Sequence, residues 1–192
     1  MDETELSPAT LVEARGATLL EALERHLSGS RDHADGTASY AFAAAAGLGI
    51  GRAHAEAVRA TARLHEVGKV YLPPALLTKD RSALSPQEAA LVDSHWAYGA
   101  ALARGAGVPD APCEWIGACG QPFDGGGVGL AGGLPLEARI VRVACECDAL
   151  IASGPAGQPA HRAAIAGLRA SAGVELDPAV VESLAEILER AA

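Results

Sequence analysis

The stretch Arg52-Ala53-His54-Ala55-Glu56-Ala57-Val58-Arg59-Ala60-Thr61-Ala62-Arg63-Leu64-His65-Glu66-Val67-Gly68-Lys69 repeats Ala, Val and Leu at helical spacing and then meets a glycine. That pattern predicts a helix from Arg52 to Val67, ended where Gly68 releases the backbone. His65 and Glu66 fall near its C-terminal end, where their side chains can face a neighbouring helix. His65 offers a neutral nitrogen and Glu66 a hard anionic oxygen to a divalent cation, while Lys69, one turn on, can pair with a phosphate oxygen. Two donors do not make a site, so further ligands must come from elsewhere in the chain.

Outward from this segment, the signals are again helical. Ser7-Pro8 opens a helix to about Leu27, with Leu11, Leu19, Leu20, Leu23 and Leu27 on one face, and Ser28-Gly29-Ser30 ends it. The alanine-rich run from Asp32 to about Leu48 has high helix propensity and stops at Gly47 and Gly49. Ser85-Pro86-Gln87-Glu88 is an N-cap with Pro at the first helical position, predicting a helix from there to about Arg104. Further helices are expected from about Pro109 to Cys119, Pro135 to Ala152, Ala160 to Ala170 and from Asp177-Pro178 onward, with a Gly/Pro linker at Ser153 to Pro159. The glycines from Asp124 through Gly133 predict a loop. It lacks the Lys-Ser/Thr of a Walker loop and follows no apolar strand, so an ATP site is rejected. The expected architecture is all-α, a bundle of about seven or eight helices.

Composition agrees with helices. Of 192 residues, 49% are hydrophobic but only 4% aromatic, so the core must rely on close helix approach through small side chains. The net charge of −9 argues against extended nucleic acid and anionic membranes as partners, though a local basic pocket for a small phosphate ligand is compatible with it. No stretch approaches the roughly 20 apolar residues of a spanning helix, and the acidic Met1 to Glu5 is unlike a secretory signal, so the expected location is cytoplasmic. Cys113, Cys119, Cys145 and Cys147 then read as thiols or metal ligands rather than bridges. His26, His54 and His161 sit isolated in charged helices and read as solvated surface residues.

Leu64-His65-Glu66-Val67-Gly68-Lys69 and the run through Pro73-Pro74-Ala75-Leu76-Leu77-Thr78-Lys79 resemble the HD superfamily of metal-dependent phosphohydrolases, and in particular its HD-GYP branch, which hydrolyses cyclic di-GMP. The likeness covers about Arg31 to the C-terminus. It implies an HD-domain-like bundle over 31–192, with 1–30 a helix packed on or preceding it. It carries over His33, in His33-Ala34-Asp35-Gly36-Thr37-Ala38-Ser39-Tyr40-Ala41, as a metal ligand. His65 and His95 follow as ligands, with Glu66 standing where the family has Asp, and Lys69 as the phosphate contact. The chain then departs from the pattern. Cys119-Gly120 replaces a His-His pair, Gly127-Val128-Gly129 replaces the Gly-Tyr-Pro signature, and Cys145 replaces an Asp ligand, leaving Asp148 to match a later structural Asp.

These departures imply a degenerate HD-GYP-like protein without cyclic di-GMP phosphodiesterase activity, retained for signalling, regulation or interaction, because two-cation hydrolysis needs both cations held. The alternative is an active metal-dependent phosphohydrolase with a reduced or zinc-retuned site, acting on cyclic di-GMP or another phosphate ester. In that version His33, His65, Glu66 and Cys145 form one mixed tetrahedral site, and His95 and Cys119 remain for a weaker second. Against retuning, cysteine is small and readily buried and can simply fill core where a ligand was abandoned. The cofactor expectation is therefore none or one divalent metal, namely zinc, iron or manganese. A further version is a ligand sensor in which Lys69, Lys79 and Arg81 hold a cyclic dinucleotide without cutting it. A protein partner and homodimerisation stay open.

Overall fold

The computed structural model describes residues 6–125, 133–154 and 157–191. Among these, every regular element is helical apart from one isolated bridge between Ala172 and Leu176. The α-helices are α1 (Pro8–His26), α2 (Ser30–Gly47), α3 (Arg52–Ala62), the single turn α4 (Pro74–Leu77), α5 (Pro86–Asp93), α6 (His95–Gly105), α7 (Asp110–Ala118), α8 (Leu136–Ser153), α9 (Gln158–Ser171) and α10 (Pro178–Ala191). Two 3-10 turns, Val67–Tyr71 and Arg81–Ala83, complete the set. None of the helices is long and apolar enough to cross a membrane.

Local chemistry explains most starts. Ser7 caps α1 by accepting from the Thr10 amide at 3.2 Å, with Pro8 behind it. Ser85 and Glu88 form a reciprocal capping box on α5. The α2 helix begins at Ser30, earlier than the expected Asp32, because the Glu24 carboxylate of α1 accepts from the amides of Gly29 (3.1 Å) and Arg31 (2.8 Å). An acid set at the positive end of a helix satisfies donors that otherwise have no partner.

Packing centres on α2, which lies between α8 and α3 and also meets α10. Its Ala34, Ala38, Ala41, Ala44 and Ala45 are buried, so the neighbouring helices approach close to its backbone, as the shortage of aromatic side chains requires. The larger core joins Ala38, Ala41, Ala44 and Ala45 to Val58 of α3, Ile140, Val141 and Ala144 of α8, Leu168 of α9 and Val181 and Leu184 of α10. A smaller core holds Val12 of α1, Ala60 of α3, Leu64, Val67, Ala103 of α6 and Ile116 of α7. The α3 helix contributes to both, and its C-terminal end opens at their junction.

Two expected helices are broken, and both breaks matter for the site. The helix expected over Arg52 to Val67 stops at Ala62, and the chain tightens into turns in which the amides of Leu64, Val67 and Lys69 reach carbonyls three residues back. Gly68 lies flush against α6: a β-carbon there would stand 2.0 Å from the His95 carbonyl oxygen. The helix expected from Ser85 to Arg104 divides at Ser94. The Ser94 hydroxyl donates to Leu91 O at 2.5 Å and His95 Nδ1–H to Val92 O at 2.6 Å, side-chain bonds to the preceding turn of the kind that bend a helix. The helices at Pro109, Pro135, Ala160 and Asp177-Pro178 form close to their expected limits. The centre of the glycine-rich loop, with Val128 and Gly129, and the middle of the Ser153 to Pro159 linker lie outside the described residues, as does the acidic Met1 to Glu5.

Candidate metal centre and its cleft

Four side chains from three parts of the chain converge between the two cores. His33 comes from the first turn of α2, His65 and Glu66 from the turns after α3, and Cys145 from the middle of α8. One donor atom from each lies within 4.8 Å of all the others. His33 Nε2 is 3.7 Å from Cys145 Sγ and 3.8 Å from Glu66 Oε1, and His65 Nε2 is 3.9 Å from the same carboxylate oxygen. Tetrahedral zinc, with Zn–N of about 2.0 Å and Zn–S of about 2.3 Å, would set its donors roughly 3.3–3.8 Å apart. The three pairs quoted are near that range, and the rest, within 4.8 Å, would have to draw in by up to about 1–1.5 Å to close on one ion.

The hydrogen bonds behind these groups fit the same purpose. The Ala62 carbonyl can only accept, so at 2.7 Å it fixes the proton of His65 on Nδ1 and leaves Nε2 with a lone pair. That Nε2 is buried and has no hydrogen-bond partner among the described residues, which is costly for a core histidine and natural for a ligand. The Asp148 carboxylate likewise takes Nδ1–H of His33 at 2.7 Å, aiming Nε2 at the cluster. Gly36 permits this contact, since a β-carbon at that position would lie 2.0 Å from Asp148 Oδ1.

Burial opposes charge on His33, yet the Asp148 carboxylate, the Cys145 thiol and Glu66 outweigh it and raise its pKa from 6.5 to about 10. Burial and the nearby His33 and Lys69 charges hold His65 neutral, at about 3, against the pull of Glu66. Burial disfavours charge on Glu66 too, but Lys69 above all, with the charged His33, keeps it ionised and it is lowered to about 2. Burial raises the Cys145 thiol, with His33 pulling the other way. Imidazole and thiol donors together suit zinc better than manganese, and a cation bound here would supply Lewis acidity beside the cleft.

The cleft, of about 590 Å³, is lined by Glu66, Lys69, His95, Trp96, Arg142 and Cys145, together with Gly120, Gln121, Arg81 and Asp93. Lys69 Nζ bonds Glu66 Oε1. His95 lines this cleft and its buried Nε2 has no hydrogen-bond partner among the described residues, but it lies outside the four-donor cluster. Its pKa is lowered by burial. Cys119 is not brought to the cluster: its thiol points into the core, donates to Trp115 O (3.1 Å) and Ala138 O (3.6 Å), and is pushed up to about 12 by burial. Gly120 is covered by Trp96, whose Cδ1 would stand 2.3 Å from a β-carbon there. Lys79 is engaged by Glu88 at 2.8 Å, and Arg81 by Asp93 at 2.9 Å.

The structure gives Asp148, matched in sequence only to a structural Asp of the family, the task of orienting His33, and adds Arg142 as a cleft residue that no local spacing marks. Gly36, one turn after His33, was the available hint for Asp148. The surface reading of three histidines needs amendment in two cases. His26 Nε2 bonds the Leu72 carbonyl at 2.7 Å in a half-buried position, and His161 has a buried Nδ1 without a partner. His54 stays half exposed and pairs with Glu137 at 2.6 Å.

Comparison with known proteins places this geometry. In solved structures the chain is similar to the HD domain of the L. monocytogenes phosphodiesterase PgpH in complex with cyclic-di-AMP, at 16% identity over 91% of this chain and 94% of that one, with a TM-score of 0.67. The PgpH HD domain described without the ligand gives 17% identity, 90% and 98% coverage and a TM-score of 0.61. Bd1817, an HDG"Y"P protein from Bdellovibrio bacteriovorus, gives 21% identity over 95% of this chain and 61% of that one, with a TM-score of 0.69. At these identities the likeness is one of fold. No curated protein matches the sequence. The family model described as HD domain matches residues 17–180, from within α1 into the start of α10. With that match, the all-helical fold and the histidines of α2 and the α3 terminus, this chain belongs to the HD domain family.

Proposed function

We propose that this chain is a degenerate HD-GYP-like domain that holds at most one divalent cation, does not hydrolyse cyclic di-GMP, and acts as a regulatory or interaction domain built around a phosphate-ligand cleft. The observation that carries this reading is the fate of Cys119 and Gly120. One thiol is turned into the core and the other position has no side chain and is overlain by Trp96, so a second cation finds few donors. Residues 126–132 cannot supply them, because that segment has no ionisable side chain. In-line displacement at a phosphodiester relies on two cations to stabilise the attacking and leaving oxygens. A single ion leaves one of them uncompensated.

A second reading, an active phosphohydrolase with a zinc-retuned single-metal site, is favoured by the way Lys69 and His95 stand beside the four donors. Elemental analysis of freshly purified protein, followed by assay with manganese, iron or zinc on cyclic di-GMP, cyclic-di-AMP and a generic aryl phosphodiester, separates the two. At most one metal per chain and no turnover are expected. Turnover that disappears in His65→Ala, or two metals per chain, would overturn the non-hydrolytic reading.

A further inference from the structure

Three cations line the cleft, and they differ in how fully their charge is used. Lys69 is bonded to Glu66, and Arg81 meets the Asp93 carboxylate at 2.9 and 3.2 Å. Among the described residues, Arg142 has only a loose contact, 3.8 Å from Nη2 to Glu175 Oε2, and its Nε is buried with no hydrogen-bond partner. A guanidinium has five donors in a fixed plane, so leaving one buried and the rest weakly engaged is unfavourable unless an anion completes the set. Arg142 stands one turn before Cys145 on α8, lines the cleft with Cys145 and Gly120, and shares a smaller neighbouring pocket with Cys119, so it adjoins both the four-donor cluster and the withdrawn Cys119-Gly120 side.

We infer that Arg142 is the anion-binding residue of this cleft: its guanidinium takes the phosphate group of a small phosphate-bearing ligand on the side of the site where Cys119 and Gly120 offer no ligation. The inference deepens the reading of a non-hydrolytic cleft, and rests on it, by assigning the ligand's chemical class and its anchoring residue. A guanidinium matches two phosphate oxygens at once and cannot lose its proton, so it supplies positive charge without any bound ion. The cleft's volume of about 590 Å³ leaves room for substituents beyond a single phosphate and falls within the usual range of small-molecule sites. Trp96 on the same wall provides a reporter.

The test is a tryptophan-fluorescence titration of the purified full chain with inorganic phosphate and, separately, with cyclic di-GMP, at constant ionic strength maintained with chloride. Saturable phosphate binding is expected, weakened at least tenfold in Arg142→Met and by a smaller factor in Arg142→Lys, which keeps the charge but loses the planar fork. Metal content and the unfolding midpoint of both variants should match the parent, which excludes misfolding as the cause. Binding of phosphate without binding of cyclic di-GMP supports the anion site and assigns it a different phosphate ligand. Equal affinity of parent and Arg142→Met, or no saturable binding of either probe, would overturn the inference. Turnover in the phosphodiesterase assay would instead sink the non-hydrolytic reading, and the Arg142 titration would still report on the anion site.

Discussion

Gly36→Ala sets two effects of opposite sign against each other at one atom. Within the interior of α2, alanine in place of glycine should stabilise the helix by about 0.5–1 kcal/mol. The new β-carbon, however, would lie 2.0 Å from Asp148 Oδ1 and 2.7 Å from Cγ, closer than any real contact allows. Asp148 must therefore rotate away, and with it goes the 2.7 Å bond to His33 Nδ1. A largely buried hydrogen bond to a charged group is worth about 1.5–3 kcal/mol. The second effect wins, and the metal-free protein should lose about 1–2 kcal/mol net. Zinc affinity should fall by about 10–100-fold, the usual consequence of removing the group that orients a ligating imidazole. Urea denaturation in the presence of chelator measures the first quantity and a competition titration with a chromophoric zinc chelator the second. Asp148→Ala alone should reproduce the loss of affinity, and combining it with Gly36→Ala should add little, because both remove the same contact. A Gly36→Ala protein that is more stable than the parent and binds zinc equally well would show that Asp148 does not hold His33.

Cys145→Ser should reduce zinc affinity by at least about tenfold while Cys119→Ser leaves the stoichiometry unchanged, since only the first thiol belongs to the cluster; metal analysis after dialysis distinguishes them. Gly120→His should destabilise the fold by about 1–3 kcal/mol through collision with Trp96, and should cost less when introduced into a Trp96→Ala background, as read by thermal unfolding of the single and double variants. Stability of the chelated protein should peak near neutral pH. His65, lowered from 6.5 to about 3, contributes stability that is present above 6.5 and lost as pH falls toward 3, joined below 4.5 by Glu66, lowered to about 2. His33, raised to about 10, contributes stability that is complete below 6.5 and lost as pH rises to 10, at up to about 1.4 kcal/mol per pH unit. Denaturation midpoints at pH 5, 7 and 9 check both limbs, and His33→Asn should flatten the alkaline one.

The helices were legible because their signals are local. Ser7-Pro8 and Ser85-Pro86-Gln87-Glu88 act as caps, and the alanines from Ala38 to Ala46 have little choice but helix. The breaks at Ala62 and Ser94 were not legible, because they depend on Gly68 lying against the His95 carbonyl and on Ser94 and His95 bonding back to the preceding turn. His33, His65, Glu66 and Cys145 could be chosen through their motif, and the fold brings them together. Cys119 resembles Cys145 in sequence terms, and only the direction of its side chain separates a core thiol from a donor. Lys79 and Arg81 looked available for a ligand, but neighbouring acids on α5 engage them. Asp148 and Arg142 gain their meaning from α2 and the cleft, far away along the chain, where no spacing rule reaches.

Three tasks fall on a single rod. Over two turns, α8 presents the residue that approaches Glu175, the thiol donor and the carboxylate that steers His33. Sliding or rotating that rod by a fraction of a turn would misplace all three together, so cation capture, imidazole alignment and anion recognition should rise and fall in unison. Effectors acting on α9 or α10, which pack against it, would silence the whole centre without touching it.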